Sequence, residues 1–137
     1  MTELRTYIYG RYSGATLQAA AGEAILTLAS AAAQIAKVIR EPDASADFAA
    51  ARGSANADGD MQKALDVICD EIVATALSSA KVAVYMSEER EDPMLMKDDG
   101  LVIVACDPLD GSSNIDTNLS IGTIFSVLPA AEGPLQS

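Results

Sequence analysis

Histidine is absent from the 137-residue sequence. That one gap excludes His general bases, Ser-His nucleophilic pairs and the usual His-containing zinc sites together. Basic residues are scarce as well: nine Lys and Arg stand against twenty Asp and Glu, for a formal net charge of -11. Nucleic-acid backbones are gripped by clustered cations, so no nucleic-acid partner is expected. An acid excess of this size goes with solubility or with hard cations. Only two cysteines occur, Cys69 and Cys106. Both sit in apolar runs without CxxC spacing and read as buried thiols of a reducing compartment. The opening MTELRTYIYG has neither the basic start nor the apolar stretch of a signal peptide. Glu23, Gln34 and Lys37 interrupt the Ala-rich region before an apolar run reaches membrane-span length. A soluble cytoplasmic protein with no membrane partner is the expectation, and its chemistry must run on carboxylates, hydroxyls, backbone groups and metal ions.

Half of the residues are hydrophobic, enough for one domain over 1–137 with a sizeable core. Leu17, Ala21, Ile25, Leu28, Ala32, Ile35 and Ile39 recur in steps of three and four, which predicts a helix over 15–41, stopped by Pro42. Within it, Gly22 either interrupts the helix or permits a close contact. Residues 43–60 are rich in Ala, Asp, Ser and Gly, and predict a mobile loop. Asp60 suits an N-cap for a second helix over 61–79, whose apolar face carries Leu65, Ile68, Ile72, Val73 and Ala76. The period then changes. Short β-type runs at 81–86, 101–106 and 121–128 predict a sheet over 81–128. The second run is continuously apolar, as for a strand buried on both faces, and the third looks central. Helices first and strands after imply an α/β or α+β layered domain, the helices packed on a mixed or antiparallel sheet.

The chemistry concentrates in Asp107-Pro108-Leu109-Asp110-Gly111-Ser112-Ser113-Asn114. A buried strand delivers Asp107 at its carboxyl end, where ligands of α/β sheets bind. Pro108 turns the chain, and the three-residue step brings the Asp107 and Asp110 carboxylates to one side. Leu109 buries its side chain and leaves its carbonyl as a further oxygen ligand. Gly111 permits close backbone approach, and the N–H groups and hydroxyls of Gly111, Ser112 and Ser113 form an anion cradle at a helix start. Metal ligands thus adjoin phosphate donors, as a phosphatase requires. Glu88 and Glu89 end another strand of the same sheet, although with Arg90, Glu91 and Asp92 they also read as a solvated charge run. Asp66 likewise reads as a polar flank of its helix. Two carboxylates about 4 Å apart repel by about 4 kcal/mol at an effective dielectric near 20, so such a cluster needs cations. All-oxygen donors favour Mg²⁺ or Mn²⁺ over zinc.

In order and spacing, Gly59-Asp60, Leu65-Asp66-Val67, Ser87-Glu88-Glu89, DPLDGSSNID at 107–116 and Gly122-Thr123-Ile124-Phe125 resemble class 1 fructose-1,6-bisphosphatases over most of residues 16–128. Inositol monophosphatase relatives share DPxDG but usually continue with Thr where Ser112 stands. The resemblance implies a sugar-phosphatase fold with its C-terminal half absent. It implies that Glu88, Glu89, Asp107, Asp110, the Leu109 carbonyl and Asp66 hold two to three Mg²⁺ ions. Asp110, Gly111, Ser112 and Ser113 would contact a substrate phosphate, and Glu89, Asp66 and Asp60 would serve catalysis, Asp60 from a closing loop. The implied reaction is hydrolysis of the 1-phosphate of fructose 1,6-bisphosphate by metal-activated water, in gluconeogenesis or the Calvin cycle. Homo-oligomers, commonly tetramers, are implied for the full-length protein.

Family members run more than twice this length, and their C-terminal half grips the sugar. The 137 residues alone are expected to have little activity. Sedoheptulose 1,7-bisphosphate, alone or alongside the fructose ester, is the competing substrate. A non-catalytic assembly module is the alternative of another class. AMP-inhibited members carry a Thr-Gly-Glu-Met-like run in the first long helix and a Lys-Tyr pair before DPLDG. Here Ala21-Gly22-Glu23-Ala24 and Leu101-Val102 stand there, so AMP inhibition of that type is expected to be weak.

Overall fold

A computed structural model describes residues 3–12, 16–40, 57–115 and 119–130, the side chains of 57–61 excepted. Helices α1 (Leu4–Arg11), α2 (Leu17–Arg40) and α3 (Ala57–Leu77) precede strands β1 (Val82–Ser87), β2 (Met94–Leu95), β3 (Val102–Asp110) and β4 (Gly122–Pro129). The strands form one mixed sheet in the order β2-β1-β3-β4. β1 runs parallel to β3, while β2 and β4 are antiparallel to their neighbours. The expected layering of helices on a mixed sheet is present.

α2 and α3 pack on each other and on one face of the sheet. Ala24, Leu28 and Ile35 of α2 and Leu65, Cys69, Val73 and Leu77 of α3 meet Val82, Tyr85, Val102 and Val104 in the core. The small residues of α2 let the helices approach closely. By length and composition α2 would also suffice to cross a membrane. Glu23, Gln34 and Lys37 still interrupt its apolar run, and a core helix with one buried face meets the same criterion.

Sequence periodicity gave no sign of α1, whose only buried residue is Ile8. Two i,i+4 cation–π contacts support it, Arg5 over Tyr9 at 5.9 Å and Arg11 over Tyr7 at 5.5 Å. Gly22 resolves as a close contact: a Cβ there would lie 2.6 Å from the Ile8 Cγ2. The helix predicted over 61–79 begins at Ala57, so Asp60 lies in its first turn and is not the N-cap. The rest of the predicted loop, 43–56, lies outside the described residues.

Two strand expectations change. β3 alternates, with Val102, Val104 and Cys106 buried and Ile103, Ala105 and Asp107 half-buried, so only one of its faces is fully covered. β4 is an edge strand rather than a central one, and exposes Ile124, Phe125 and Leu128. Its β-branched and aromatic composition suits a strand at either position, and composition alone does not distinguish them.

Candidate active site

Because β1 and β3 are parallel and adjacent, their carboxyl ends lie at the same end of the sheet, with Ser87 paired to Cys106. The Glu88 N–H donates to the Cys106 carbonyl at 3.1 Å, which sets Glu88 beside Asp107. The Glu89 N–H donates to Ser87 Oγ at 3.2 Å. Asp66 reaches the same region from α3.

The chain does not turn at Pro108. β3 continues through it to Asp110, and the register to β4 slips between the pairs Asp107–Ile124 and Asp110–Gly122. This is a bulge, where a strand tolerates a residue without an N–H. In a regular strand residues three apart face opposite sides; the extra residue restores Asp110 to the side of Asp107. The Pro108 carbonyl is held by Thr123 Oγ1 at 3.0 Å, and Asp107 Oδ1 accepts the Leu109 N–H at 3.0 Å. The reversal falls at Gly111, whose φ of 79° is left-handed. A single 3-10 turn, Ser112–Asn114, follows in place of the expected helix start. Asn114 Nδ2 donates to the Ser120 carbonyl at 3.3 Å and closes the loop.

The electrostatics join these groups. Glu88 has its pKa raised, first by a hydrogen bond shared with the Asp107 carboxyl and by its charge, then by Asp110 and Asp66. Burial raises Glu89, with Asp66, Glu88 and Asp107 adding to it. Burial also raises Asp66, opposed by a hydrogen bond with Ser112 and aided by the charge of Asp107. Glu88, Glu89 and Asp66 thus all feel the charge of Asp107. Among the described residues, however, no three acidic groups converge tightly enough to enclose an ion. The donors nonetheless fit a hard cation. All are oxygens, Asp66 Oδ1 is buried with no hydrogen-bond partner, and Glu88 stands beside Asp107.

Leu109 is buried, as expected, while Ser113 is exposed. The side chain of Asp60 lies outside the described residues. Sequence reasoning missed Gln62, whose Nε2 donates to Ser112 Oγ at 2.9 Å. It also missed Asp70, a buried carboxylate held by Tyr85 and Arg90. The signal was available: Gln62, Asp66 and Asp70 recur every four residues, beside the buried stripe of Leu65, Cys69 and Val73. Both thiols are pushed up to about 12, first by burial and then by Asp66 for Cys69 or Asp107 for Cys106. They are protonated and unreactive at neutral pH.

Fold and site together define a layered α/β domain with acidic side chains at the carboxyl ends of two parallel strands. A family model described as "Fructose-1-6-bisphosphatase, N-terminal domain" matches residues 10–135, and the chain belongs to that family. It is 53% identical over 110 residues to the class 1 fructose-1,6-bisphosphatase of Rhizobium meliloti, covering 80% of this chain and 32% of that protein. Identity to a class 1 fructose-1,6-bisphosphatase of Xanthobacter autotrophicus is 42% over 131 residues, 94% of this chain and 40% of that one. The holo crystal structure of Leishmania major fructose-1,6-bisphosphatase superposes with a TM-score of 0.75 at 29% identity, covering 99% of this chain and 40% of that one. The apo form gives 0.71 at 28%, covering 96% and 37%. The chain thus spans about a third of the length of the curated relatives it matches.

Proposed function

We propose that this domain supplies the catalytic half-site of a cytoplasmic, Mg²⁺-dependent sugar bisphosphatase that hydrolyses the 1-phosphate of fructose 1,6-bisphosphate. The products are fructose 6-phosphate and phosphate, and the enzyme works as a homo-oligomer in gluconeogenesis or the Calvin cycle. The observation that carries this reading is the placing of Glu88 beside Asp107 at the carboxyl ends of two parallel strands, by the bond from the Glu88 N–H to the Cys106 carbonyl. Glu88, Glu89, Asp107, Asp110, Asp66 and the Leu109 carbonyl would hold two or three Mg²⁺ ions, with Mn²⁺ as a substitute. When bound, the cations supply positive charge that acidifies water and neutralises phosphate oxygens.

The remaining steps belong to the chain. Gly111 reverses the backbone so that Ser112 and Ser113 follow at the mouth of the site, where their N–H groups and hydroxyls receive a phosphate with Asp110 and Gly111. Gln62 holds the Ser112 hydroxyl from behind. Glu89 would take the proton of the attacking water, with Asp66 and Asp60 in support. Water is the direct attacking group in this reading, no phosphoenzyme forms, and the two protonated thiols take no part.

A chimera in which residues 10–135 replace the matching stretch of the Rhizobium meliloti protein tests the reading. Mg²⁺-dependent phosphate release from fructose 1,6-bisphosphate is expected, with a loss of about 10²-fold or more in Asp107→Asn. Undiminished turnover in that variant, or a trapped phosphorylated side chain, would refute it. Sedoheptulose 1,7-bisphosphate assayed in parallel decides between the two sugars.

A further inference from the structure

Behind the acidic turn lies a polar cluster that hydrolysis does not use. Asp70 of α3 is only 4% exposed. Its Oδ1 accepts from the hydroxyl of the fully buried Tyr85 at 2.9 Å, and its Oδ2 lies 2.6 Å from Arg90 Nη2. The same nitrogen stands 2.7 Å from Glu71 Oε1, while Arg90 Nε is buried without a partner. Burying a carboxylate in this way has a desolvation cost that only well-made partners offset, and replacing such a group by an apolar one is often neutral. Stability alone therefore gives no reason for the cluster. Its location does.

Arg90 directly follows Glu89, and Asp70 lies one helical turn beyond Asp66 on the same face of α3. The turn is tied to the sheet by the bonds from Glu88 N–H to the Cys106 carbonyl and from Arg90 N–H to the Ser87 carbonyl. The Arg90 guanidinium ties it to the helix. One terminal nitrogen, carrying two N–H groups at the end of the long planar side chain, serves both carboxylates, a reach that the shorter Lys ammonium lacks.

We propose that Arg90 is a positioning residue: by bridging Asp70 and Glu71 it fixes the spacing between Asp66 on α3 and Glu88 and Glu89 on the turn, and so presets the site for a divalent cation. The inference rests on the reading of these carboxylates as cation ligands. It predicts that Arg90 governs metal affinity without touching metal or substrate.

The test is Mn²⁺ binding to the protein, measured by calorimetry and by the electron paramagnetic resonance of free Mn²⁺. Arg90→Met is expected to weaken binding by about 10- to 100-fold, the range for groups that orient metal ligands. Arg90→Lys, which keeps the charge on a shorter reach, is expected to fall between. Leu77→Val, a core change remote from the turn, serves as the stability control and is expected to bind as the wild type does. If Arg90→Met does not fold, Glu71→Gln replaces it, because Glu71 is 63% exposed and removes only one end of the bridge; a smaller loss in the same direction is expected. Wild-type affinity in the variant that folds overturns the inference alone. Equal weakening in Leu77→Val assigns the loss to general destabilisation and also overturns it. No Mn²⁺ binding by the wild type overturns the cation reading and this inference with it.

Discussion

Replacing Tyr85 by Phe removes one oxygen from the fully buried interior and leaves the ring where it is. The lost hydroxyl donates at 2.9 Å to Asp70, itself 4% exposed. Hydrogen bonds to charged groups contribute about 1.5–3 kcal/mol, and Arg90 still holds the second oxygen, so the expected loss is about 2 kcal/mol. For a domain of this size that lowers Tm by roughly 6–12 °C, read by circular dichroism at pH 7. The pH dependence gives a second check. Burial, joined by the charge of Asp70 and opposed by a hydrogen bond with Ser87, pushes the Tyr85 hydroxyl well above its ordinary value of 10.0. A group whose pKa is raised by folding contributes stability that is fully present below its unfolded value and is lost as pH rises toward the folded one. The advantage of the wild type over Tyr85→Phe should therefore shrink as pH climbs above about 10. Cys69 and Cys106, raised from 9.0 to about 12, are common to both proteins and cancel in the difference. Equal stabilities at pH 7, or a gap that stays constant to pH 11, would refute the assignment of Tyr85 to Asp70.

Saturating Mg²⁺ should stabilise the protein by about 2.7 kcal/mol at a hundredfold excess over its Kd, and the double variant Asp66→Asn, Glu89→Gln should abolish the effect; an unshifted Tm in the wild type would contradict the site. The raised pKa values of Glu88, Glu89 and Asp66 give opposite slopes with and without metal. Without metal, their contribution is full below the ordinary values of 4.5 and 3.8 and is lost as pH rises through the raised values; Mg²⁺ stabilisation should emerge over that same window, measurable by calorimetry from pH 4 to 7. Gly100→Ala should cost about 3 kcal/mol or more in denaturant unfolding, because its Cβ would lie 2.2 Å from the Ala83 backbone nitrogen, which cannot rotate aside. Gly111→Ala, at φ 79°, should cost about 1–2 kcal/mol in the same assay and weaken Mn²⁺ binding by displacing the Ser112–Asn114 turn; unchanged stability would show that the reversal does not need glycine.

The elements legible in the sequence were those whose burial repeats with a fixed period. α2 and α3 repeat apolar positions every three or four residues against one common core, and the strand leading to Asp107 is a continuous apolar run, patterns visible without knowing the partner. α1 is held by one buried side chain set against Gly22, which gives no period to find. The edge position of β4 depends on which strands pair, and its own residues do not encode that. Pro108 was read as a turn because Asp-Pro and Asp-Gly ordinarily make one. Pairing with β4 carries the strand past it as a bulge, so tertiary hydrogen bonding overrode the local signal. The acidic ligand candidates were legible because like charges at strand ends are costly without a cation. Arg90 was not, because a cation inside a charge run looks solvated until the helix beneath it is placed.

The organising element of the site is α3 rather than the conspicuous DPLDG segment. Gln62, Asp66 and Asp70 descend one face of this helix in steps of four. Gln62 fixes the Ser112 hydroxyl, Asp66 offers an unpartnered buried oxygen, and Asp70 grips the strand and the acidic turn through Tyr85 and Arg90. The apolar stripe of Leu65, Cys69 and Val73, three positions beyond Gln62, Asp66 and Asp70 in turn, locks that polar seam in register with the sheet. Rotating α3 by a single residue, about 100°, would withdraw all three polar contacts at once and expose the stripe. Core packing and ligand geometry are thus set by the same helical register. A destabilising change in the α3 core is therefore expected to loosen the acidic centre only if it alters that rotation, which is why Leu77→Val, conservative and one turn beyond Val73, is the suitable control for Arg90→Met.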